Sequence, residues 1–478
     1  MLKDSQIYLF ASVVTILVNF LTLPFFTSYL SPGDYGVIAL FIIFGNVTTN
    51  LISFGLNTAS YGSYFKYKID DFKILNLSVS VFLIVLFILF GTLVVNNFAG
   101  YISGKIFNNQ ISSDLLKLSY LSGCFSYFYT HFGQLLIAQK KAYYFSISSI
   151  LHVCTNALLT YYFIKFYSYT FLAGIYGVTF ANILAMSSVV LFNYDLFIFK
   201  LSFKKLKKAI IFGIPEVPKL IIDLLYSSFD KTMLANYKGI SEIGYYDFGS
   251  RFASILKIFN DAIGKSFSPY FLENIDKTSA RENILDFFYK IIFFLGLIGI
   301  GISYFSEEAL IVLTTKDFYV AKYLVPFLIS YYLFGVLNQL ASNQFIASQK
   351  LYYLPPISFF GLVINVVLNI ILIPIFGAIG AVISTAFVSF ITSILLFYFG
   401  NVALNLPTNN RKIISLYLLI FFFLILGYPI LYIEASFALK ILIKMILIII
   451  FLLSGIYFKF FNKKDLLNLK NSVLKSVQ

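Results

Sequence analysis

The sequence predicts an all-α integral membrane protein of about fourteen transmembrane helices: two parallel six-helix repeats forming a two-lobed bundle, followed by two C-terminal helices. Three observations carry this expectation: an apolar, charge-poor composition, a succession of hydrophobic stretches near bilayer length, and an internal repeat of about 208 residues. Of 478 residues, 59% are hydrophobic, 19% aromatic and 12% charged, with mean hydropathy +0.87, whereas a soluble domain carries about 25% charged residues. Fourteen helices of about 21 residues would occupy about 294 residues, which leaves no room for a large soluble domain.

The spans fall at 7–30, 35–57, 74–96, 115–138, 145–166, 171–194, 209–229, 243–264, 287–305, 323–346, 355–375, 378–398, 413–432 and 437–458, each close to the length needed to cross hydrocarbon. The first begins just after Met1–Asp4, runs past 20 residues and lacks a small-residue cleavage site, so it reads as a retained span rather than a signal peptide. Trp is absent, which leaves the 36 tyrosines to form the interfacial aromatic belt. Cys124 and Cys154 both lie in apolar runs and are too few for a disulfide framework or a cysteine metal site.

A net charge of +14 suggests a nucleic-acid partner until the cations are sorted by position. With both termini cytoplasmic, 23 of the 35 cations fall in cytoplasmic segments, nine on the opposite side or its helix ends, and three, Lys219, Arg251 and Lys257, inside spans. This is the positive-inside bias of a membrane protein, and it removes the nucleic-acid reading. The densest run, "FKLSFKKLKK" at 199–208, reads as a cytoplasmic linker between lobes, or simply as a topology determinant that also touches anionic lipid.

The repeat divides the chain. Tyr29, Asp34 and Gly36 recur as Tyr237, Glu242 and Gly244; Ile137, Ala138, Tyr143 and Tyr144 recur as Ile346, Ala347, Tyr352 and Tyr353; Asn156 and Leu159 recur as Asn365 and Leu368. A shift held over that distance marks two related halves. The expected organisation is an N-terminal lobe at 1–198, the linker at 199–208, a C-terminal lobe at 209–400, and helices 13 and 14 with a cytoplasmic tail at 401–478. An even number of helices per half makes the repeat parallel, with its axis along the membrane normal, an architecture suited to alternating access about a central cavity.

Helix periodicity places the polar residues. Glu216, Lys219, Asp223, Ser227 and Asp230 of the seventh span share a sector of about 80°, and Asp247, Ser250, Arg251, Ser254, Lys257, Asp261 and Lys265 of the eighth share about 120°. Charges at such depth are costly in lipid and imply a wet cavity or internal pairing. The i,i+4 spacings Lys219–Asp223, Asp247–Arg251 and Lys257–Asp261 keep self-neutralising pairs open as an alternative. The matching helices of the first half are polar but uncharged: Ser12, Thr15, Asn19 and Thr22 on one face, and Asn46, Thr49, Asn50, Ser53, Asn57 and Ser60 on another. Interhelical hydrogen bonding is the competing account of these. One lobe thus offers amides and hydroxyls and the other fixed charges, which suits a substrate bearing both hydroxyls and negative charge. Pro24 in the first span and Pro218, beside Pro215, in the seventh are candidate hinges, with tolerated helix-end prolines as the alternative.

His131 and His152 each stand alone on an apolar helix; a hydrogen-bonded interior role is expected of them rather than a proton relay, and neither has ligand-spaced neighbours for a metal. No phosphate-cradling P-loop is present, so ATP is not the direct motor. No cofactor is expected. A membrane-embedded glycan polymerase or ligase would need a place for chemistry on large outer loops, and the longest outer segments, near 97–114 and 306–322, are short; the protein is read as a transporter rather than an enzyme.

"YLSPGDYGVIALF" from Tyr29, after "FLTLPFFTSYL", and "GISEIGYYDFGSRF" from Gly239, after "FGIPEVPKLIIDLLYSSFDK", resemble the two half-signatures of the polysaccharide (Wzx-type) flippases of the multidrug/oligosaccharidyl-lipid/polysaccharide exporter superfamily. The resemblance extends over the whole chain. It implies translocation of undecaprenyl-pyrophosphate-linked oligosaccharide repeat units across the bacterial inner membrane, for O-antigen or capsular/exopolysaccharide synthesis, with H+ or Na+ as coupling ion and a polysaccharide polymerase and chain-length regulator as partners. It further implies cavity cations that hold the pyrophosphate, for which Lys219, Arg251 and Lys257 are suited here. Combined with the stripes, Asn19, Asn50 and Asn57 would meet the sugars, Asp223, Asp261, Asp247 and Glu216 would supply counter-charge or ion coupling, and the polyprenyl tail would stay in membrane lipid. The alternative within the superfamily is a multidrug/cation antiporter, which calls for an acid-dominated cavity.

Overall fold

The computed structural model describes residues 2–105, 107, 110–214, 217–275, 277–348, 350–433, 436–458 and 460. Every regular element among them is helical. In chain order these are α1 (Leu2–Tyr29), α2 (Pro32–Ile52), α3 (Leu56–Lys66), α4 (Ile69–Phe90), a π-helical turn (Gly91–Val95), α5 (Asn96–Lys105), α6 (Ser113–Ala138), α7 (Ala142–Tyr167), α8 (Phe171–Phe192), α9 (Phe203–Gly213), α10 (Val217–Tyr237), α11 (Ile240–Asn274), α12 (Thr278–Tyr304), α13 (Ser306–Leu313), α14 (Val325–Ala347), α15 (Leu354–Phe376), α16 (Ala378–Ala403), α17 (Asn410–Gly427) and α18 (Phe437–Tyr457). Eleven helical stretches among the described residues are long and apolar enough to cross a membrane. Helices α6, α10 and α11, of 26, 21 and 35 residues, have the length but carry more polar side chains. With them, the helices of spanning length match the fourteen expected.

The motif at Tyr29 has a local physical meaning. Ser31 caps α2: its hydroxyl accepts from the Asp34 amide at 3.2 Å, and the Asp34 carboxylate accepts from the Ser31 amide at 2.8 Å. Pro32 opens the helix, where a missing N–H costs nothing. The repeated glycines serve a tertiary purpose. A Cβ on Gly36 would collide with the carbonyl of Ile240, and one on Gly244 with the carbonyl of Pro32. The two half-signatures therefore pack on each other reciprocally, backbone to backbone.

The chain forms two compact units: one of Met1–Asp247, Leu313–Asp317 and Asn369–Gly377, the other of Phe248–Val312, Phe318–Leu368 and Ala378–Gln478. In the first, α2 packs on α6, α6 on α8, α7 along α8 and α1 on α7, while α9 rests against α3 and α4 and α10 against α2. The expected seventh span, 209–229, is divided: its first residues belong to the basic helix α9 and the remainder to α10.

In the second unit α12 contacts α14, α17 and α18, and α14 lies along α16. Its interior is aromatic: Phe293 stacks on Phe451 at 4.8 Å and Phe334 on Tyr417 at 5.5 Å between ring centroids. The tyrosine hydroxyls of this core turn to backbone, Tyr304 donating to the Phe423 carbonyl at 2.6 Å and Tyr417 to that of Leu333 at 3.0 Å. Buried hydroxyls are thus satisfied at little cost.

Candidate functional site

Within the first unit, α1, α2, α6, α7 and α8 enclose a polar pocket of about 390 Å³, in the size range of small-ligand sites. Its polar wall is made of Thr15, Asn19, Asn46, Ser119, Ser122, Ser126, Ser149, His152, Asn156 and Asn182. Among the described residues, no aspartate, glutamate, lysine or arginine lines it.

Many hydroxyl protons near it are committed to the helices that carry them: Thr15 donates to the Ala11 carbonyl at 2.9 Å and Thr22 to that of Val18 at 2.9 Å. Such bonds use the proton and leave oxygen lone pairs to accept. Asn182 organises the far wall. Its amide nitrogen donates to the Ser122 hydroxyl at 3.1 Å, its oxygen lies 3.0 Å from His152 Nε2, and the His152 ring stacks on Tyr129 at 5.4 Å. The expected hydrogen-bonded role is met at His152. His131 is fully buried, and neither of its ring nitrogens meets a partner among the described residues.

The three asparagines expected to meet a substrate do not gather. Asn19 lines the pocket. Asn50, one turn beyond the pocket-lining Asn46 on α2, donates its amide to the Asn46 carbonyl at 2.7 Å. Asn57 is the second residue of α3, with its amide oxygen buried and unpartnered. Asn156 and Asn182 line the pocket beside Asn19, and neither was singled out from the sequence as a site residue. The signals for Asn156 were its recurrence as Asn365 and the helical spacing of Ser149, His152 and Asn156; Asn182 offered an amide in the middle of an apolar span.

The charged stripe of the first unit runs along α10 and into the start of α11. Asp230 is buried, and its carboxylate accepts from the Lys231 amide at 2.8 Å. Lys231 reaches Asp247 at 3.5 Å and lies 5.8 Å from the Tyr246 ring centre. Asp247 thus finds a cation on the neighbouring helix. Lys219, Asp223 and Pro218 are placed by their backbone in α10, and Glu216 lies outside the described residues. Pro218 is the second residue of its helix, whereas Pro24 is interior to α1, where it removes a backbone hydrogen bond.

In the second unit, Arg251, Lys257 and Asp261 all lie on α11. Arg251 is half-buried and sits 5.8 Å from the Phe248 ring centre; Lys257 and Asp261 are exposed. At 1.5 Å per residue, Lys257 lies about 9 Å and Asp261 about 15 Å along the helix from Arg251.

A second charged group in this unit was not singled out from sequence. Lys444, 1% exposed, sits 2.6 and 2.7 Å from the two carboxylate oxygens of Glu308. Its neighbour Glu307 receives Lys322 at 2.7 Å and Lys440 at 3.3 Å. Burial pushes the Glu307 carboxyl up, but Lys322 and Lys440 outweigh it and hold the group below its usual range. Lys440 and Lys444 stand one turn apart on α18, so the cluster clamps that helix to α13. Their i,i+4 spacing in an otherwise apolar span was the available signal. Among the described residues, no group of three or more His, Cys, Asp or Glu forms a metal-binding cluster.

Comparison with known proteins bears on what this arrangement serves. Residues 1–275 match the model of a family described as polysaccharide biosynthesis protein. An uncharacterised membrane protein of Haemophilus influenzae is 24% identical over 287 residues, covering 59% of this chain and 67% of that protein. A structure of the lipid II flippase MurJ in an inward closed conformation superposes with a TM-score of 0.71 at 16% identity, over 95% of this chain and 98% of that one. An inward-facing multidrug resistance MATE family transporter of the MOP superfamily gives a TM-score of 0.62 at 15% identity, over 83% and 97%. At these identities the two structures establish a shared fold.

Proposed function

We propose that this chain, which belongs to the polysaccharide biosynthesis protein family, is a Wzx-type flippase of the multidrug/oligosaccharidyl-lipid/polysaccharide exporter superfamily and moves an undecaprenyl-pyrophosphate-linked oligosaccharide from the cytoplasmic to the outer leaflet of a bacterial inner membrane, for O-antigen or capsular/exopolysaccharide synthesis. The observation that carries this reading is the neutral pocket of the first unit, walled by amides and hydroxyls and free of fixed charge. Such a wall exchanges hydrogen bonds with sugar hydroxyls and offers a cation nothing to neutralise it.

In this proposal Asn19, Asn156 and Asn182 contact the saccharide, with Asn50 and Asn57 farther along the path of entry. Lys219, Arg251 and Lys257 hold the pyrophosphate, replacing its hydration with charge-assisted hydrogen bonds. Asp223, Asp247, Asp261 and Glu216 compete for the same cations, so that H+ or Na+ bound at an acid frees the cations for phosphate and its departure returns them to the acid, loosening the grip. Pro24 and Pro218 are the bending points of an alternating-access cycle. A polymerase and a chain-length regulator act on the delivered product, and both termini lie in the cytoplasm.

The experiment is complementation of a flippase-null strain. Restored surface glycan, reduced at least tenfold by Arg251→Ala with Lys257→Ala at equal protein level, is the expected result. Unchanged glycan in that double variant would overturn the phosphate assignment. Drug resistance without glycan would replace the proposal with an antiporter.

A further inference from the structure

The first unit carries a second cavity, of about 630 Å³, that the transport reading does not use. It is a groove along α4 and into the π-helical turn, from Leu77 to Thr92, floored by α6 and by Met186 and Val190 of α8. At 1.5 Å per residue it is about 22 Å long, within the roughly 30 Å of a hydrocarbon core.

Three side chains on its lining carry hydroxyls, and each turns back to backbone. Ser80 donates to the Asn76 carbonyl at 2.8 Å, Thr92 to that of Ile88 at 2.9 Å, and Tyr120 to that of Phe87 at 2.9 Å. With those protons spent, the lining offers hydrocarbon contact, which disfavours a sugar or an ion and selects an alkyl chain. Its rim is open: Ile84 and Ile88 are 47% and 59% exposed.

The end of the groove at Leu77 meets the basic segment, which the excess of lysine and arginine assigns to the cytoplasmic side. Phe197 closes the lining there, and the Ser202 amide donates to the hydroxyl of Ser78, one residue from Leu77, at 2.9 Å. Ser202 caps α9, whose Leu206, Ala209 and Gly213 are buried. Its other face is cationic, with Lys204, Lys207 and Lys208 exposed and Lys200 just ahead of it. Lys205 pairs with Asp71 of α4 and thereby pins the helix to the groove wall. Among the described residues Lys204, Lys207 and Lys208 have no acidic partner. A basic amphipathic helix in this position lies at the headgroup level of the cytoplasmic leaflet, where each lysine draws anionic lipid.

We propose that the groove and α9 together form a site for one anionic phospholipid of the cytoplasmic leaflet, with an acyl chain along α4 and the phosphate under Lys204, Lys207 and Lys208. This site stands on the groove and the lysines, independently of what the protein transports.

The test uses the full-length protein in vesicles of phosphatidylglycerol and phosphatidylcholine, extracted gently and weighed by native mass spectrometry. Phosphatidylglycerol is expected to be retained over phosphatidylcholine well beyond its share of the vesicle. Replacing Lys204, Lys207 and Lys208 by Gln, which disturbs no buried packing, should weaken that preference by about a hundredfold, from the contribution of each lysine at an anionic surface. Ile84→Trp with Leu121→Trp, which fills the groove from its rim, should abolish retention of both lipids while leaving the protein monodisperse. Equal retention of the two lipids by the wild type would overturn the proposal, as would undiminished phosphatidylglycerol in the tryptophan variant. Displacement of phosphatidylglycerol by equimolar undecaprenyl phosphate would overturn it in favour of an isoprenoid occupant.

Discussion

The pocket of the first unit and the charge cluster of the second are both polar intrusions into apolar bundles, but they use their polar groups in opposite ways. In the cluster each charge is spent on another: Glu308 on Lys444, and Glu307 on Lys322 and Lys440. In the pocket, Asn19, Asn46 and Asn156 sit beside hydroxyls whose protons serve their own helices, with hydrogen-bonding capacity left facing space. A saturated polar network specifies structure, while an unsaturated one around a cavity specifies binding. A buried charge is therefore not by itself a mark of function here: the deeply buried Glu308–Lys444 pair fastens a helix.

The comparison breaks most readily at the cluster. Glu308→Ala would leave Lys444 buried without its partner, and such a loss costs about 3–5 kcal/mol. The thermal unfolding midpoint in detergent should fall sharply, and Glu308→Leu combined with Lys444→Met should recover most of the loss. A harmless single substitution would show that the cluster is not structural.

A smaller effect is expected at Glu307. Its carboxyl is held below the usual range, so its contribution is complete above the unfolded-state value of about 4.3 and is lost as pH falls through the depressed folded value. Stability attributable to this group should be level from pH 8 to 5 and decline only in stronger acid. Glu307→Gln should cost about 1.5–3 kcal/mol at neutral pH, as for hydrogen bonds to a charged group, and should flatten the acid limb of the profile. An unchanged acid limb would locate the acid sensitivity elsewhere.

The smallest effect on stability is expected at Asn19 of the pocket. Asn182→Ala forfeits the bonds to Ser122 and His152, for about 1 kcal/mol each, and Asn19→Leu forfeits none that holds the fold. If the pocket is for binding, transport should suffer far more than the unfolding midpoint.

What the sequence made legible follows from which forces are local. Span number and position came from length and apolarity, and α14, α16 and α18 fall where expected because lipid imposes both. The half-signatures were visible as repeats, yet the reason for Gly36 and Gly244 lies in contacts more than 200 residues apart. Asn19 was legible because several polar residues share its face. The pairing of Asn182 with His152 was not, since the two lie on different helices and only tertiary packing brings them together. Lys440 and Lys444 read as interfacial lysines because Glu307 and Glu308 lie some 130 residues earlier in the chain.

The most direct test of the central claim, that the neutral pocket of the first unit receives the saccharide, is surface glycan in a flippase-null strain expressing Asn19→Leu with Asn156→Leu at wild-type protein level. The account predicts at least a tenfold loss of glycan with an unfolding midpoint close to that of the wild type. Full glycan display by that variant would contradict it.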